Sequence, residues 1–168
     1  MAKAATVDWF KRFRAGCCSI GLKAEDKLAA LDEAATNMVK GKALDSSALE
    51  EVVKVLRGRE ARATTGVGMG VAISHVAMPG IDQALCSLSL HPEGLDWSAV
   101  DGAPVHIVFL VLRPEMSTPN YDPEDHIDMM RWIAGLAREA DFRAFALQAT
   151  KRSELVELLR EMQPEQAS

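Results

Sequence analysis

The most constraining feature of the sequence is the run PVHIVFLVL at positions 104–112, in which His106 is the only polar side chain. A strand with one face in water alternates apolar and polar residues, whereas a strand covered on both faces is apolar almost throughout. The run therefore predicts a central β-strand with helices packed on both faces of its sheet. We expect Ile107, Phe109 and Val111 to be buried.

Helical patterns flank a strand-rich middle section. Apolar residues at three- and four-residue steps indicate helices, and short apolar or alternating runs indicate strands. The predicted elements are helices over 24–41, 47–58, 123–137, 141–149 and 151–162 and strands over 71–73, 84–91 and 104–112. Helices first, a sheet in the middle and helices last predict an α/β sandwich.

Cap signals mark two of these helices. Ser47 and Glu50 form an S-x-x-E capping box, and Gly58 is suited to ending that helix. Asp122 can cap the later helix, with Pro123 at its first position.

Length and charge limit the function classes. The chain has 168 residues, a net charge of −5 and a pI near 5.4, which suits one domain and disfavours a nucleic-acid partner. No apolar run approaches the roughly 20 residues that span a bilayer, and the start lacks the apolar core of a secretory signal. Three cysteines, Cys17 and Cys18 being adjacent, form neither a disulfide framework nor a CxxC pair. We expect a cytoplasmic protein without a membrane span.

The first 20 residues differ from the rest because aromatic and basic side chains interleave in DWFKRFRAGCC. One interpretation is a short amphipathic helix that touches a membrane surface or a partner protein. The other, which we favour because the segment is too short for stable membrane binding, is a terminal helix docked on its own domain by its aromatic residues.

The glycines in TTGVGMGVAISH do not fit a dinucleotide-binding loop. That loop follows a strand and precedes a helix, whereas these glycines follow a helix and precede a strand. They are suited to positive φ or to a close approach of the backbone, and free N–H groups in such a loop can bind an oxyanion.

Four histidines could serve as nucleophiles or ligands. His106 lies in the apolar run and is interpreted as a core or edge residue, and His91 before Pro92 as a surface residue. No H-x-x-x-H or similar spacing occurs, so neither a metal nor another cofactor is predicted. His75 is expected at the end of the 71–73 strand and His126 in the first turn of the Pro123 helix, where free N–H groups favour an anion.

Together these stretches resemble a known family. GREARATTGVGMGVAISH, VDGAPVHIVFLVLRP and DHIDMMRWIAGLAREADFRAFALQATKRSELVELL resemble, in order and spacing, the EIIA domain of the fructose/mannitol/nitrogen-regulatory class of the bacterial phosphotransferase system. The resemblance implies a mixed β-sheet sandwiched between α-helices. It divides the chain into an N-terminal extension over 1–20, the domain over 21–162 and a C-terminal tail over 163–168.

The resemblance also implies site residues. His75 matches the histidine that such domains phosphorylate, His126 matches the second active-site histidine, and Arg59 and Glu60 match the R-E pair that opens the motif. Thr65 and Gly66 match the threonine-glycine of that motif. The resemblance places the phosphoryl-binding loop at Thr65, Gly66, Gly68 and Gly70.

The sequence departs from the family next to His75. The family usually has proline before this histidine and a basic residue two positions after it, whereas this chain has Ser74, Val76 and Ala77. The serine frees the backbone, the valine adds a branched side chain where the donor approaches, and the alanine removes a cation. One lost charge-assisted contact predicts transfer about 10- to 100-fold slower than in relatives.

Two functions remain open. The first is a phosphocarrier of the nitrogen-regulatory kind, which accepts a phosphoryl group from a phospho-histidine carrier protein and regulates an unknown target protein. The second is a regulatory binding module that keeps the fold and transfers phosphate poorly. The retained His75, His126 and Arg59 favour the first; the Ser74, Val76 and Ala77 departures favour the second.

Overall fold

The computed structural model of the chain describes residues 8–164. The helices and strands of this part of the chain are α1 Lys27–Lys40, α2 Leu49–Arg62, β1 Gly66–Gly68, β2 Val71–Met78, β3 Leu85–Leu95, β4 Val105–Pro114, α3 Pro123–Arg138, α4 Ala140–Leu147 and α5 Arg152–Glu161. The predicted extension over 1–20 and the predicted tail over 163–168 lie partly outside the described residues.

The strands form one mixed sheet in the order β1–β2–β4–β3. β2 and β4 run parallel, and β1 and β3 run antiparallel to their neighbours. β4 lies inside the sheet, and Ile107, Phe109 and Val111 are each at most 1% exposed. The α/β fold with a central strand at the apolar run is therefore confirmed.

Each face of the sheet carries its own hydrophobic core. Ile107 and Phe109 pack with α3, α4 and α5, whereas Val108 and Leu110 pack with α1 and α2. Successive side chains of a strand point to opposite faces, so a strand covered twice must be apolar at every position. Burying one such side chain contributes about 1.5–3 kcal/mol.

The predicted bounds of α2 are wrong at both ends. Ser47 does not cap the helix, because it lies in a short 3-10 turn before it, where the Ser47 N–H donates to the Asp45 carboxylate at 2.9 Å. Gly58 does not end the helix, which continues to Arg62. The buried Glu60 carboxylate accepts hydrogen bonds from Lys27 and Thr65, and these tertiary contacts stabilise the last turn despite the glycine.

The strands also extend beyond their predicted ends. β2 continues through polar Ser74 and His75 because it pairs with β4 as far as Met78. His75, expected at a strand end, therefore lies inside a strand. His91, expected on the surface, is 7% exposed in β3 with Nε2 2.8 Å from the Ala24 carbonyl oxygen. His106, near the start of the inner strand β4, is half-buried with Nδ1 3.2 Å from the His91 carbonyl oxygen, which fits a core histidine with a hydrogen-bond partner.

The N-terminal segment from residue 8 packs along the outer edge of β3. Isolated β-bridges join Phe13 to Cys86 and Ser19 to Ser89. The Phe13 side chain is 1% exposed and meets the rings of Phe109 and Trp132 edge-on. The interpretation as a segment docked on its own domain by its aromatics is therefore confirmed for the described residues, although it forms 3-10 turns rather than a helix.

Candidate functional site

Two histidines that are far apart in sequence touch in the structure. The Nε2 atoms of His75 and His126 are 2.8 Å apart, and the ring centroids are 4.9 Å apart. His75 comes from β2 and His126 from the first turn of α3. Both line a cleft of about 590 Å³ between β2, β4 and α3.

The sequence around α3 fixes the position of His126. The Asp122 carboxylate accepts a hydrogen bond from the Glu124 N–H, and Pro123 is the first helical residue. The His126 N–H then donates to the Asp122 carbonyl oxygen at 3.0 Å. The Tyr121 ring packs edge-on against the imidazole, with centroids 5.2 Å apart. His126 is thus held rigidly and is only 6% exposed.

His75 lies on the part of β2 that β1 does not pair with. β1 pairs only with Val71 and Ala72, so beyond that point β2 has β4 as its one strand neighbour among the described residues. His75 is half-buried on the face that packs with α3. The resulting free edge leaves its imidazole reachable from two clefts.

Three residues next to His75 differ from the usual family pattern, and the packing of two of them, Ser74 and Val76, shows what the change does. Ser74 is 2% exposed, and its hydroxyl lies 3.2 Å from the Thr65 hydroxyl, so the backbone before His75 is held in the sheet rather than freed. Val76 points to the opposite face and packs in the α1–α2 core at 7% exposure. It therefore does not crowd the His75 imidazole on the α3 side, although it does line the other of the two clefts that reach His75.

The electrostatics of the site favour neutral imidazoles. Burial, followed by the charges of His126, Arg113 and Arg59, lowers the pKa of His75 to about 4. Burial is also the first cause that lowers the pKa of His126, followed by the charge of Arg113. At neutral pH both imidazoles are uncharged, so the short contact joins an N–H group to a lone pair.

Arg59 lies beside His75 but in a second cleft. It belongs to the last turn of α2 and shares this cleft with His75, Ala77, Lys54 and Arg62. Its NH1 group donates to the Ala63 carbonyl oxygen at 2.8 Å. The second cleft is therefore basic, and it approaches His75 from the side opposite to His126.

The glycine loop is placed elsewhere. Within residues 8–164, neither cleft that His75 lines includes Thr65, Gly66, Gly68 or Gly70. His75 is four residues beyond the start of β2, a separation of about 13 Å along an extended strand. Gly68 and Gly70 adopt φ values of 100° and 78°, which explains these glycines by backbone conformation.

Thr65 has a structural partner network. Its hydroxyl contacts the Glu60 carboxylate and accepts a hydrogen bond from Trp97 Nε1 at 2.9 Å. Lys27 forms an ion pair with the same carboxylate at 3.1 Å. In the R-E pair of the motif, Arg59 lines the second His75 cleft, while Glu60 of α2 bonds to Lys27 of α1 and to Thr65, the residue before β1.

Sequence patterns missed four charged or aromatic side chains of the main cleft: Arg113, Glu115, Tyr121 and Arg131. Arg113 follows the apolar run and reads as the polar end of a strand. Only the strand register, which pairs Ala77 with Arg113, places it near His75. No spacing rule along the chain encodes that register.

The described residues contain neither a candidate metal-binding cluster nor a helix that could span a membrane. Residues 8–164 hold no group of three or more histidine, cysteine, aspartate or glutamate side chains placed to bind a metal ion. In the same range, no helix combines the length and apolar character needed to cross a bilayer.

A family model matches most of the chain. Residues 12–162 match the family described as phosphoenolpyruvate-dependent sugar phosphotransferase system, EIIA 2. The chain belongs to this family. The match begins nine residues before the predicted domain start at residue 21 and includes part of the segment that packs on β3.

Two similar proteins are named nitrogen regulatory proteins. The one from Bradyrhizobium diazoefficiens is 33% identical over 135 residues, which are 80% of this chain and 82% of that protein. The one from Pseudomonas aeruginosa is 37% identical over 95 residues, which are 56% of this chain and 58% of that protein. The match thus spans less than two thirds of the Pseudomonas protein.

A solved structure shares the fold. The crystal structure of nitrogen regulatory protein IIA-Ntr from Neisseria meningitidis has a TM-score of 0.78 at 23% identity and covers 90% of this chain and 98% of that chain. At this identity the likeness shows the fold alone.

Proposed function

We propose that the protein is a phosphocarrier of the nitrogen-regulatory kind that accepts a phosphoryl group on His75. The observation that carries the proposal is the 2.8 Å contact between His75 Nε2 and His126 Nε2 at the edge of two clefts. A histidine acceptor must be neutral, reachable and next to groups that stabilise phosphoryl oxygens. His75 meets these requirements.

The transfer step can be written with these atoms. The lone pair on His75 Nε2 attacks phosphorus as the N–P bond of a phospho-histidine donor breaks, and the donor imidazole keeps that electron pair. Because burial lowers the pKa of His75 to about 4, no proton needs to leave the attacking nitrogen at neutral pH. His126 Nε2–H then donates to a phosphoryl oxygen, and Arg59 supplies positive charge from the second cleft.

The partners follow from the same chemistry. The donor is expected to be a small phospho-histidine carrier protein, and the phosphorylation state of His75 is expected to control binding to a regulatory target. A chain in the solution structure of the Escherichia coli complex between enzyme IIA for mannitol and phosphorylated enzyme IIB has the same fold, with a TM-score of 0.63 at 19% identity. That complex supports protein-to-protein contact as the mode of exchange. A cytoplasmic location is part of this proposal.

A second candidate is the binding module that keeps the fold and transfers phosphate poorly. Ala77 favours it, since no cation stands two residues after His75. The packing of Ser74 in the sheet and of Val76 away from the main cleft weakens this alternative, although Val76 does line the second cleft.

Phosphorylation can be tested directly. We expect the purified protein, incubated with phosphoenolpyruvate, the general phosphotransferase enzyme and its carrier, to gain one phosphoryl group by intact mass. The group should be labile in acid and stable in base, as expected of a phosphohistidine. His75→Gln should abolish uptake, and His106→Gln, which changes another half-buried histidine outside both clefts, should not. A wild-type protein that gains no mass from a fully phosphorylated carrier would contradict the phosphocarrier proposal and favour the binding module.

A further inference from the structure

Arg113 lies beside His75 because of the register between two parallel strands. Ala77 of β2 is the partner of Arg113 in β4, and His75 is the partner of Val111. Partners in register project to the same face of a sheet, as do alternate residues of one strand. The side chains of His75, Ala77 and Arg113 therefore share the face on which α3 lies, and Ala77 leaves room beside the guanidinium.

The guanidinium of Arg113 has little to neutralise it. Its NH1 group donates to the Pro114 carbonyl oxygen at 3.0 Å. Within residues 8–164, no carboxylate comes within 4.0 Å to form an ion pair with it, although the exposed Glu115 lines the same cleft. Arg113 also lowers the pKa of both His75 and His126 by its charge. A half-buried cation without a carboxylate partner is suited to binding an anion.

Two other carboxylates near His126 are engaged elsewhere. Asp122 caps α3, and Asp125 accepts a hydrogen bond from Trp9 Nε1 at 3.3 Å. They therefore do not compete with an anion for the Arg113 guanidinium.

We propose that Arg113 binds the oxygens of the phosphoryl group on His75 and stabilises it during transfer. The inference rests on the proposed function. Arg113 would hold the phosphoryl group from the β4 side while Arg59 approaches from α2 and His126 from α3. A planar guanidinium can bind two oxygens of one phosphoryl group at once, which a single ammonium does less well. The cation missing at Ala77 is thus supplied by the neighbouring strand.

The test compares phosphoryl uptake at a saturating concentration of phosphorylated carrier, so that carrier docking does not limit the rate. Arg113→Gln should slow uptake about 10- to 100-fold. Arg113→Met serves as a second removal, since its unbranched side chain keeps the packing of the half-buried stem. Arg160→Gln removes an exposed cation of α5 and should leave uptake unchanged.

Two further measurements separate phosphoryl binding from a structural role. In Arg113→Gln the pKa of His75, followed by NMR titration, should rise because a positive neighbour is removed. Adding Ala77→Arg to Arg113→Gln should restore much of the rate, since the two positions are partners in register.

The outcomes are distinct. If the wild type takes up phosphate and both Arg113 variants do so at the same rate, the role of Arg113 is overturned while the proposed function stands. If the wild type takes up none, the proposed function fails and the inference fails with it.

Discussion

At the scale of single residues, the Nε2–Nε2 contact of His75 and His126 sets the chemistry. Two neutral imidazole nitrogens at 2.8 Å need one hydrogen between them, so one ring donates and the other accepts. Once a phosphoryl group occupies His75 Nε2, the donor on His126 can face a phosphoryl oxygen. The two rings therefore have different roles, and substitutions can separate them.

His126→Ala is expected to slow phosphoryl uptake by about 100-fold without moving the phosphoryl group from His75, because it removes one donor to the phosphoryl oxygens. His126→Gln keeps an N–H donor and should retain more of the rate. Uptake rates and peptide mapping of the phosphohistidine measure both effects. Phosphoryl label found on His126 in a His75→Ala variant would show that His126 can itself accept the phosphoryl group, which would contradict the roles assigned to the two rings.

Buried serines provide a second residue-scale test. Ser87 and Ser89 in β3 are 0% exposed, and their hydroxyls have no hydrogen-bond partner within residues 8–164. An unpaired buried hydroxyl carries a desolvation cost of about 1–3 kcal/mol. Ser87→Ala is therefore expected to leave the free energy of unfolding unchanged or raise it by about 1 kcal/mol, measured by urea denaturation. A loss above 1 kcal/mol would reveal a bond to this hydroxyl.

At the scale of elements, the N-terminal segment acts as a part of the sheet. It donates and accepts backbone hydrogen bonds with β3, among them Ser19 N–H to the Leu88 carbonyl oxygen at 3.2 Å and Leu90 N–H to the Ser19 carbonyl oxygen at 2.8 Å. An open strand edge invites pairing with other chains, and this segment covers it. Its aromatic side chains complete the core on the α3–α5 side.

Phe13→Ala should lower the free energy of unfolding by about 3–5 kcal/mol, because the ring is 1% exposed and its loss leaves a cavity against Phe109 and Trp132. Phe145→Ala is the matched control: this ring is 57% exposed on α4, so its removal should change stability by less than about 0.5 kcal/mol. Urea denaturation of both variants gives the comparison. Equal midpoints would mean that the segment does not contribute to the fold.

At this scale, sequence patterns predicted which helices and strands form better than they predicted the residues at which each begins and ends. The run at 104–112 and the cap at Asp122 predicted β4 and α3, since a continuous apolar run and a capping side chain are local features of the sequence. The ends of α2 and β2 depend instead on tertiary partners, namely the Glu60 bonds and the pairing of β2 with β4. The pairing of His75 with His126 was predicted from family resemblance alone. Arg113 was not predicted, because periodicity along one chain carries no information on the register between β2 and β4.

At the scale of the whole molecule, the sheet positions a titrating pair between two helical layers. α1 and α2 pack on one face and α3, α4 and α5 on the other, and His75 sits at the free edge where Arg59 of α2 and His126 of α3 both reach it. The same burial that keeps His75 neutral links the site to the stability of the entire fold. Protonation of His75 must therefore oppose folding.

The stability of the protein is expected to fall as the pH is lowered from about 6.5 to about 4. The pKa of His75 is lowered from 6.5 to about 4 by folding, so in this window the unfolded chain binds a proton that the folded protein excludes. The stabilisation is fully present above pH 6.5, and His126, whose pKa is also lowered, acts in the same direction. After allowance for solvent screening, His75 accounts for a loss of about 1–2 kcal/mol.

Urea unfolding of the wild type and His75→Gln between pH 4 and 7.5 measures this contribution. The variant lacks the titrating group, so its free energy of unfolding should fall less steeply, and the difference between the two proteins should be constant only above pH 6.5. Comparison at pH 7.5, where His75 is neutral in both folded and unfolded chains, gives the reference difference that is due to packing. Parallel curves over the whole range would show that His75 titrates alike in both states, which would contradict the burial of a neutral imidazole at the edge of β2.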